Sequence, residues 1–192
     1  MKKPLWLNDE QVASLLDHTT AYKAVETALI CHANGQYIQP LKPYVRPLGK
    51  EREREGGRYI AMPASVGRQD SYVPGIKWIA SIPVNIEDGL PRASGLVVIN
   101  SSVTGRVDAI MECKTLSARR TAAIATISFD HFAQNKAKIV ALLGAGPINS
   151  ETVDALMARD RGIVRFQLKG GIHLTQVPTT FCGRQFCGLE RA

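Results

Sequence analysis

The stretch LLGAGPINSETVDALMARDRG (residues 142–162) decides the fold of the second half of this chain. An apolar run at 137–143 leads into two closely spaced glycines, and a helix is predicted to follow over SETVDALMARD, starting at Ser150. Strand, glycine turn and helix in this order are the context of a dinucleotide-binding turn. Gly144 would make the tight bend, and Gly146 would let a pyrophosphate approach the backbone at the helix N-terminus. A further strand predicted over 162–168 makes this the start of a β-α-β unit.

Two residues depart from the full dinucleotide motif. Asn149 stands where a third glycine ordinarily lets the helix pack closely on the strand. An acidic residue that binds the ribose hydroxyls is expected about 20 residues further on, and Lys169 occupies that region instead. A lysine there would favour a 2′-phosphate, so the choice between NAD and NADP stays open.

Residues 1–133 read as an α+β domain. Asn8 and Gln11 predict a capping box at the start of a short helix, and a second helix is expected from about Thr20 to Ala33. Residues 36–48 are predicted to be extended because three prolines exclude a helix. Further strands are predicted at 58–66 and 75–84, followed by a hairpin over 94–113 that turns at Thr104 and Gly105. An alanine-rich helix is expected over 114–133, with Thr115 as its N-cap.

The composition is that of an ordinary globular protein, with 192 residues, 45% of them hydrophobic, and a net charge of +7. The basic residues are scattered, and the densest charged run (49–58) alternates in sign, which predicts a solvated loop. This pattern argues against a nucleic-acid surface and suits the binding of an acidic small molecule. No apolar run reaches the roughly 18 residues of a membrane helix, and the first residues show no signal peptide. We therefore expect a cytoplasmic protein with neither nucleic-acid nor membrane partners.

The four cysteines form no Cys-x-x-Cys pair and have no histidine cluster beside them. This spacing predicts isolated reduced thiols and no metal site. Their positions are Cys31, Cys113, Cys182 and Cys187.

Cationic side chains are the best candidates for holding an acidic ligand. Lys77 lies in the apolar stretch GIKWIAS, where an unpaired lysine is uncommon. Arg119 and Arg120 project about 100° apart on a helix, so only one of them faces any given site. Glu112 is the best-placed carboxylate, either as a partner for a cation or as a structural group. The other candidate cations are Lys42, Arg46, Arg58 and Arg92.

Taken together, the motifs resemble the ornithine cyclodeaminase/μ-crystallin family. They are YIQPLKPYVRP, RYIAMPA, GIKWIAS with GLPRASGLVVIN, MECKTLSARRTAA and LLGAGPIN, in matching order over about residues 5–168. QPLKPY and PRASG are most similar to the branch that makes 2,3-diaminopropionate, a precursor of siderophores and related natural products. That branch uses NAD to oxidise an amino acid at the carbon bearing a secondary amine, and the imine is then hydrolysed.

The resemblance implies a fold and a set of site residues. It implies an α/β chain in which an α+β substrate and dimerisation domain (1–133) precedes a Rossmann NAD(P)-binding domain, of which 134–168 would be the start. The implied partners are an amino-acid substrate with carboxylates and a second copy of the chain. The implied substrate-binding residues are Lys42 (with Arg46 as a rival), Arg58, Lys77 and Arg120. The implied cofactor-binding residues are Arg92, Thr121, Gly144, Gly146, Pro147 and Ile148.

After about Leu168 the sequence stops resembling the family. The segment 169–192 lacks a helical period and holds two of the four cysteines. We expect an aberrant or disordered tail from a frameshift or premature stop, and no family catalytic aspartate within the chain. The expectation that follows is weak or absent NAD binding and no turnover. Two other functions stay open, namely the conversion of ornithine to proline and ammonia, and a non-catalytic μ-crystallin-like binding or dimerisation module.

Overall fold

The computed structural model describes residues 3–46, 56–68, 71–133, 139–159, 165–169, 180–181 and 184–185. The chain divides into two compact units. The first unit comprises Met1–Leu16 and Thr27–Leu116, and the second comprises Asp17–Glu26 and Ser117–Ala192.

Along the described chain, one strand and two helices come first, six strands follow, and helix and strand alternate only after them. The helices are α1 (Asp9–Leu15), α2 (His18–Ala33), α3 (Lys114–Phe132) and α4 (Pro147–Ala158). The strands are β1 (Leu5–Leu7), β2 (Tyr37–Ile38), β3 (Tyr44–Val45), β4 (Arg58–Arg68), β5 (Ser71–Ser81), β6 (Ala93–Asn100), β7 (Val107–Glu112), β8 (Ile139–Leu143), β9 (Arg165–Lys169), β10 (Thr180–Phe181) and β11 (Arg184–Gln185).

The first unit is built on a seven-stranded sheet with the order β1-β7-β6-β5-β4-β2, in which β3 also pairs with β4. Strands β4 to β7 are antiparallel neighbours, whereas β1 runs parallel to β7. β4 and β5 pair along eleven residues each, from Arg58 opposite Ser81 to Arg68 opposite Ser71. The hairpin predicted at Thr104–Gly105 is confirmed, and Gly105 has φ +70, which glycine adopts without strain.

Local sequence signals set the starts of α1 and α2. The capping box is confirmed, because the Asn8 side chain accepts from the Gln11 N–H at 2.9 Å and the Gln11 side chain accepts from the Asn8 N–H at 3.0 Å. α2 begins at His18, two residues earlier than predicted. The carboxylate of Asp17 accepts the N–H of Thr20 at 2.6 Å. This hydrogen bonding lowers the pKa of Asp17.

The predicted N-cap role of Thr115 is wrong. Thr115 is the second residue of α3, and its N–H and hydroxyl donate to the carboxylate of Asp9 at 2.7 and 2.8 Å. Glu112, weighed as a partner for a cation, instead accepts the N–H of Asp9 at 2.7 Å. Two carboxylates from distant parts of the sequence therefore satisfy the N–H groups at the starts of α1 and α3.

In the second unit, the predicted β-α-β start is confirmed. β8 and β9 pair in parallel, and α4 lies between them in the chain. α4 begins at Pro147, three residues earlier than expected, because proline is favoured in the first helical position, where no N–H is needed. The buried residues of the two long helices are mostly small, which permits close helix approach. They are Ala118, Ala122, Ala123, Thr126 and Ile127 on α3, and Thr152, Val153, Ala155 and Leu156 on α4.

Several sequence predictions fall wholly or largely outside the described residues. These are the charged loop (49–55 of it), Cys182, Cys187 and most of the segment 169–192. Within that last segment, β10 and β11 form a two-stranded antiparallel sheet. Cys31 and Cys113 are buried, free cysteines.

Candidate functional site

The glycine turn joins the end of β8 directly to α4. Gly144 has φ +85, a left-handed conformation that a side chain disfavours. Gly146 is the N-cap of α4 with an extended backbone, φ −82 and ψ 170, and makes no side-chain capping bond. Gly144 therefore makes a bend of the kind predicted for it, and the approach of a pyrophosphate to Gly146 stays a prediction.

The surroundings of this turn suit a bound anion. Apart from the neighbouring residues in the chain, a Cβ atom built on Gly144 or Gly146 meets no atom of the described residues within 4 Å, so the described backbone leaves room for a ligand. The first turn of α4 carries no acidic residue, and its N-terminus presents free N–H groups and the positive end of the helix dipole. Pro147 and Ile148 are exposed beside it. These features fit the pyrophosphate of a dinucleotide.

Asn149, the residue in place of the third glycine, has a defined role in the turn. Its side-chain amide donates to the carbonyl oxygen of Leu143 at 2.8 Å and to that of Gly144 at 2.7 Å. Sequence reasoning identified this position only as a departure from the motif. The two hydrogen bonds show what the asparagine does there.

The position at which an acidic residue would bind the ribose hydroxyls lies at the end of β9. The parallel register places Lys169 opposite Leu143, the last residue of β8. The backbone thus brings residue 169 to the same edge as the glycine turn, as a ribose-binding position requires. The register leaves open whether NAD or NADP binds.

In the first unit, Lys77 occupies the middle of the sheet. It is half-buried on β5, opposite Met62 on one side and Val97 on the other. The hydrogen bond from the N–H of Ala61 to the carbonyl of Pro43, 3.0 Å, extends the pairing of β3 with β4 by one step. Continued by one more residue, the same register places Lys42 opposite Met62. Met62 then has Lys42 on one side and Lys77 on the other.

The rival residue Arg46 lies elsewhere along the same strands. Tyr44 pairs with Ile60 and Val45 with Tyr59, so continuing this register brings Arg46 to Arg58. The Arg46 guanidinium lies 5.6 Å from the ring centroid of Tyr44. Arg58 pairs with Ser81, four residues along β5 from Lys77. Continued in both directions, this register places Lys42, and not Arg46, opposite Met62, the residue that pairs with Lys77.

Arg92 directly precedes Ala93, the first residue of β6. It is exposed, and its carbonyl accepts the N–H of Ile82 at 2.8 Å. Within the first unit, the structure does not bring Arg92 alongside Lys77.

Cys113 shares the face of the sheet that carries Lys77. Its N–H donates to the carbonyl of Gly95 at 3.1 Å, and Gly95 pairs with Ile79. Burial raises the pKa of the Cys113 thiol, the positive charge of Lys77 opposes this shift, and Asp9 adds to it. Lys77 is therefore close enough to Cys113 to affect the pKa of this buried thiol.

On α3, the two neighbouring arginines have different surroundings, as their helical spacing predicts. The Arg119 Nε atom lies 3.1 Å from the Glu151 carboxylate, which also lies 3.5 Å from His18 Nε2. Arg120 is exposed. Thr121, predicted to contact the cofactor, donates its hydroxyl to the carbonyl of Ser117 at 2.7 Å.

Sequence reasoning missed a polar cluster in the second unit. The Asp130 carboxylate, whose side chain is 6% exposed, binds Arg159 at 2.6 Å and accepts the hydroxyl of Tyr22 at 3.0 Å. The Arg159 guanidinium also lies 4.1 Å from the ring centroid of Tyr22. Burial, followed by the hydrogen bond to Asp130, raises the pKa of Tyr22. Nothing local in the sequence signals this cluster, because its three members come from three helices.

Two features are absent from the described part of the chain, a membrane-spanning helix and a cluster of metal ligands. No helix there is long and apolar enough to cross a membrane. No group of three or more His, Cys, Asp and Glu side chains in those ranges could hold a metal ion.

A sheet followed by a β-α-β unit with a glycine turn matches the fold expected of the family. The model of the ornithine cyclodeaminase/mu-crystallin family matches residues 2–172. The chain belongs to this family. The predicted resemblance and the α/β fold class are both confirmed.

Three relatives that this chain matches are two dehydrogenases and a reductase. N-((2S)-2-amino-2-carboxyethyl)-L-glutamate dehydrogenase of Staphylococcus aureus is 34% identical over 143 residues, which cover 73% of this chain and 42% of that enzyme. An archaeal alanine dehydrogenase dimer with bound NAD has a TM-score of 0.76 at 29% identity, covering 87% of this chain and 48% of that one. The Δ1-pyrroline-2-carboxylate reductase of Thermococcus litoralis, in complex with NADH and L-proline, has a TM-score of 0.77 at 25% identity, covering 86% and 49%. The chain spans about half the length of these proteins.

Proposed function

We propose that this chain forms the substrate-binding part and the start of the cofactor-binding part of an NAD-dependent oxidoreductase that cleaves N-(2-amino-2-carboxyethyl)-L-glutamate into 2,3-diaminopropionate and 2-oxoglutarate. The observation that carries the proposal is the glycine turn, which leads from β8 into α4 with open space over Gly144 and Gly146. The similarity to the Staphylococcus aureus enzyme supports this choice of substrate. NADP is the alternative cofactor.

The reaction needs a site that grips carboxylates and holds one C–H bond in place. NAD, when bound, accepts the hydride from the carbon that carries the secondary amine, and water then hydrolyses the resulting imine. The substrate carries several carboxylates, and lysines supply point charges to hold them. Lys77 and Lys42 are proposed to bind one carboxylate from the two sides of Met62. Such groups accelerate the reaction because they hold the substrate in the reactive geometry, so the entropic cost of bringing the reacting atoms together is already met on binding.

The remaining predicted site residues enter the proposal with the family resemblance as support. Arg120 and Arg58 are proposed to bind further carboxylates of the substrate. The residues proposed to contact the cofactor are Arg92, Thr121, Gly144, Gly146, Pro147 and Ile148.

Gly146→Ala tests the cofactor site. Alanine adopts φ −82 without strain, and its Cβ would meet no atom of the described residues outside its chain neighbours within 4 Å, so the variant should fold normally. The added methyl group would occupy the space proposed for the pyrophosphate. We expect NAD⁺ affinity, measured by calorimetric titration, to fall about tenfold or more, which is about 1.4 kcal/mol.

Gly144→Ala is the matched comparison, because alanine at φ +85 is strained. It should lose stability by about 1–2 kcal/mol as well as lose affinity. No binding of NAD⁺ by the unmodified chain, or unchanged binding by Gly146→Ala, would refute the cofactor site.

Turnover separates the proposed reaction from its alternatives. The chain is incubated with NAD⁺ and N-(2-amino-2-carboxyethyl)-L-glutamate, and NADH and 2-oxoglutarate are measured. A parallel reaction with L-ornithine is assayed for proline and ammonia. Product from ornithine alone would replace the proposal with cyclodeamination, and ligand-induced stabilisation without product would favour a binding module.

Three substitutions test the lysine pair. Lys77→Met and Lys42→Met keep most of the side-chain volume and remove the charge, so both should weaken substrate binding. Arg46→Met is the matched control, because the strand register pairs Arg46 with Arg58 rather than with Met62. Weaker binding in Arg46→Met and normal binding in Lys42→Met would reverse the assignment.

We also propose that the protein forms a homodimer through the sheet. Trp6 and Trp78 are 52% and 44% exposed, although both belong to sheet strands. Exposed apolar area of this kind marks an interaction surface, and the archaeal relative with bound NAD is a dimer. Trp78→Glu should therefore give monomers in sedimentation experiments. Val103→Glu, at a 91% exposed position between β6 and β7, should leave the dimer intact.

A further inference from the structure

Asn149 connects the first turn of α4 to the end of β8. It is the third residue of α4 and is half-buried. A side-chain amide has two N–H donors, and in Asn149 the amide donates both to the backbone before it, at 2.8 Å to Leu143 and 2.7 Å to Gly144. The acceptors are the last residue of the strand and the first residue of the turn.

These two hydrogen bonds restrain the part of the turn with the least intrinsic rigidity. Gly144 has the freedom of a residue without a side chain, and its left-handed φ of +85 is one of several conformations that glycine adopts readily. Fixing the carbonyl groups of the two peptide links that flank the Gly144 Cα atom restricts that freedom. A glycine at position 149 would allow close packing but would have no group with which to hold the turn.

We propose that Asn149 is a positioning residue for the cofactor. It holds residues 143–146 in the conformation that leaves the turn open to phosphate, and so raises the affinity for the pyrophosphate without touching it. This inference rests on the proposed function. When only a fraction of the molecules has the competent turn, the apparent affinity falls by that fraction. Loss of the two hydrogen bonds should therefore weaken binding about tenfold.

The binding experiment compares Asn149→Leu, a variant of similar volume without donors, with the unmodified chain. A matched control is Thr152→Val in the same helix, which removes a hydrogen bond of 2.8 Å from Thr152 to the carbonyl of Ile148 and leaves the turn untouched. The probes are NAD⁺, ADP and adenosine, titrated by NMR. In Asn149→Leu, binding of NAD⁺ and ADP should weaken about tenfold, whereas binding of adenosine, which has no phosphate, should not change.

A merely structural role would give a different pattern. Asn149→Leu would then weaken the binding of adenosine and of ADP in parallel, or Thr152→Val would weaken the binding of ADP as much as Asn149→Leu does. Either result would overturn the inference, and so would unchanged ADP binding in Asn149→Leu. Asn149→Gln keeps both donors on a longer side chain and should recover part of the lost affinity.

Amide hydrogen exchange in the absence of nucleotide separates failure of this inference from failure of the proposed function. The amides of 144–146 should exchange faster in Asn149→Leu and normally in Thr152→Val. If the unmodified chain binds neither NAD⁺ nor ADP, the cofactor proposal fails, and the positioning role fails with it. If the unmodified chain binds both but exchange and affinity are unchanged in Asn149→Leu, only the positioning role is wrong.

Discussion

Replacing Asp130 and replacing Arg159, the two partners of one ion pair, should destabilise the chain by different amounts. The Asp130 side chain is 6% exposed, whereas the Arg159 side chain is 35% exposed. Replacing the arginine leaves a negative charge in a buried position. Replacing the aspartate leaves a guanidinium that water can reach, so Arg159→Met should destabilise the chain more than Asp130→Asn.

The structure sets the size of this difference. Removing one partner of a buried ion pair costs about 3–5 kcal/mol. Since a third of Arg159 is already in water, we expect about 2–3 kcal/mol for Arg159→Met, at or below the low end of that range. This includes about 0.5–1 kcal/mol for the lost interaction with the ring of Tyr22. Asp130→Asn keeps the side-chain volume and should cost about 1–2 kcal/mol.

A double-mutant cycle measured by urea unfolding, followed by far-UV circular dichroism, tests these values. The double variant should cost less than the sum of the single variants by about 1–2 kcal/mol, because each single variant already loses the same pair. Additivity within about 0.5 kcal/mol would show that the pair contributes nothing. A larger cost for Asp130→Asn than for Arg159→Met would refute the argument from burial.

Three further predictions concern single side chains. Burial and the hydrogen bond to Asp130 raise the pKa of Tyr22 above its ordinary 10.0. The stabilisation that the Tyr22 hydroxyl contributes is therefore complete below pH 10 and is lost as the pH rises through its raised pKa. In an alkaline absorbance titration, Tyr22→Phe should remove a tyrosine that titrates late. An unchanged titration curve would contradict this. Asp9→Ala removes the carboxylate that binds the start of α3 and should lower the free energy of unfolding by about 1–2 kcal/mol. The control Glu10→Ala, at the exposed neighbouring residue, should change it by no more than about 0.5 kcal/mol. Equal costs for the two variants would argue against capping by Asp9. Asn8→Ala breaks the capping box and should cost about 1 kcal/mol in thermal or urea unfolding, and no loss would mean that α1 needs no cap.

The elements predicted well are those whose causes lie close together in the sequence. The capping box joins residues three apart, and the hairpin at Gly105 needs only a turn residue between two β-branched runs. The boundary errors were also local. α4 starts at Pro147 rather than Ser150 because a proline next to a glycine N-cap is a helix start as well as a turn signal.

The candidate site was predicted in part. The glycine turn was found because strand, turn and helix are contiguous. Lys77 was found because a lysine in an apolar strand is unusual. The choice between Lys42 and Arg46 stayed open, since both follow the same short extended segment. The register of β3 on β4 favours Lys42, because it brings that residue to Met62, opposite Lys77.

The sequence by itself determined the strands, the helices, the glycine turn and the family, because each depends on residue types at short, repeated spacings. Only the tertiary structure decided which side chains meet. Asp9 caps α3 across 106 positions, Tyr22 meets Asp130 across 108, and Glu112 binds the N–H of Asp9 across 103. Carboxylates and N–H groups have many chemically equivalent partners along a chain. The fold selects among them because it brings only a few within hydrogen-bonding distance.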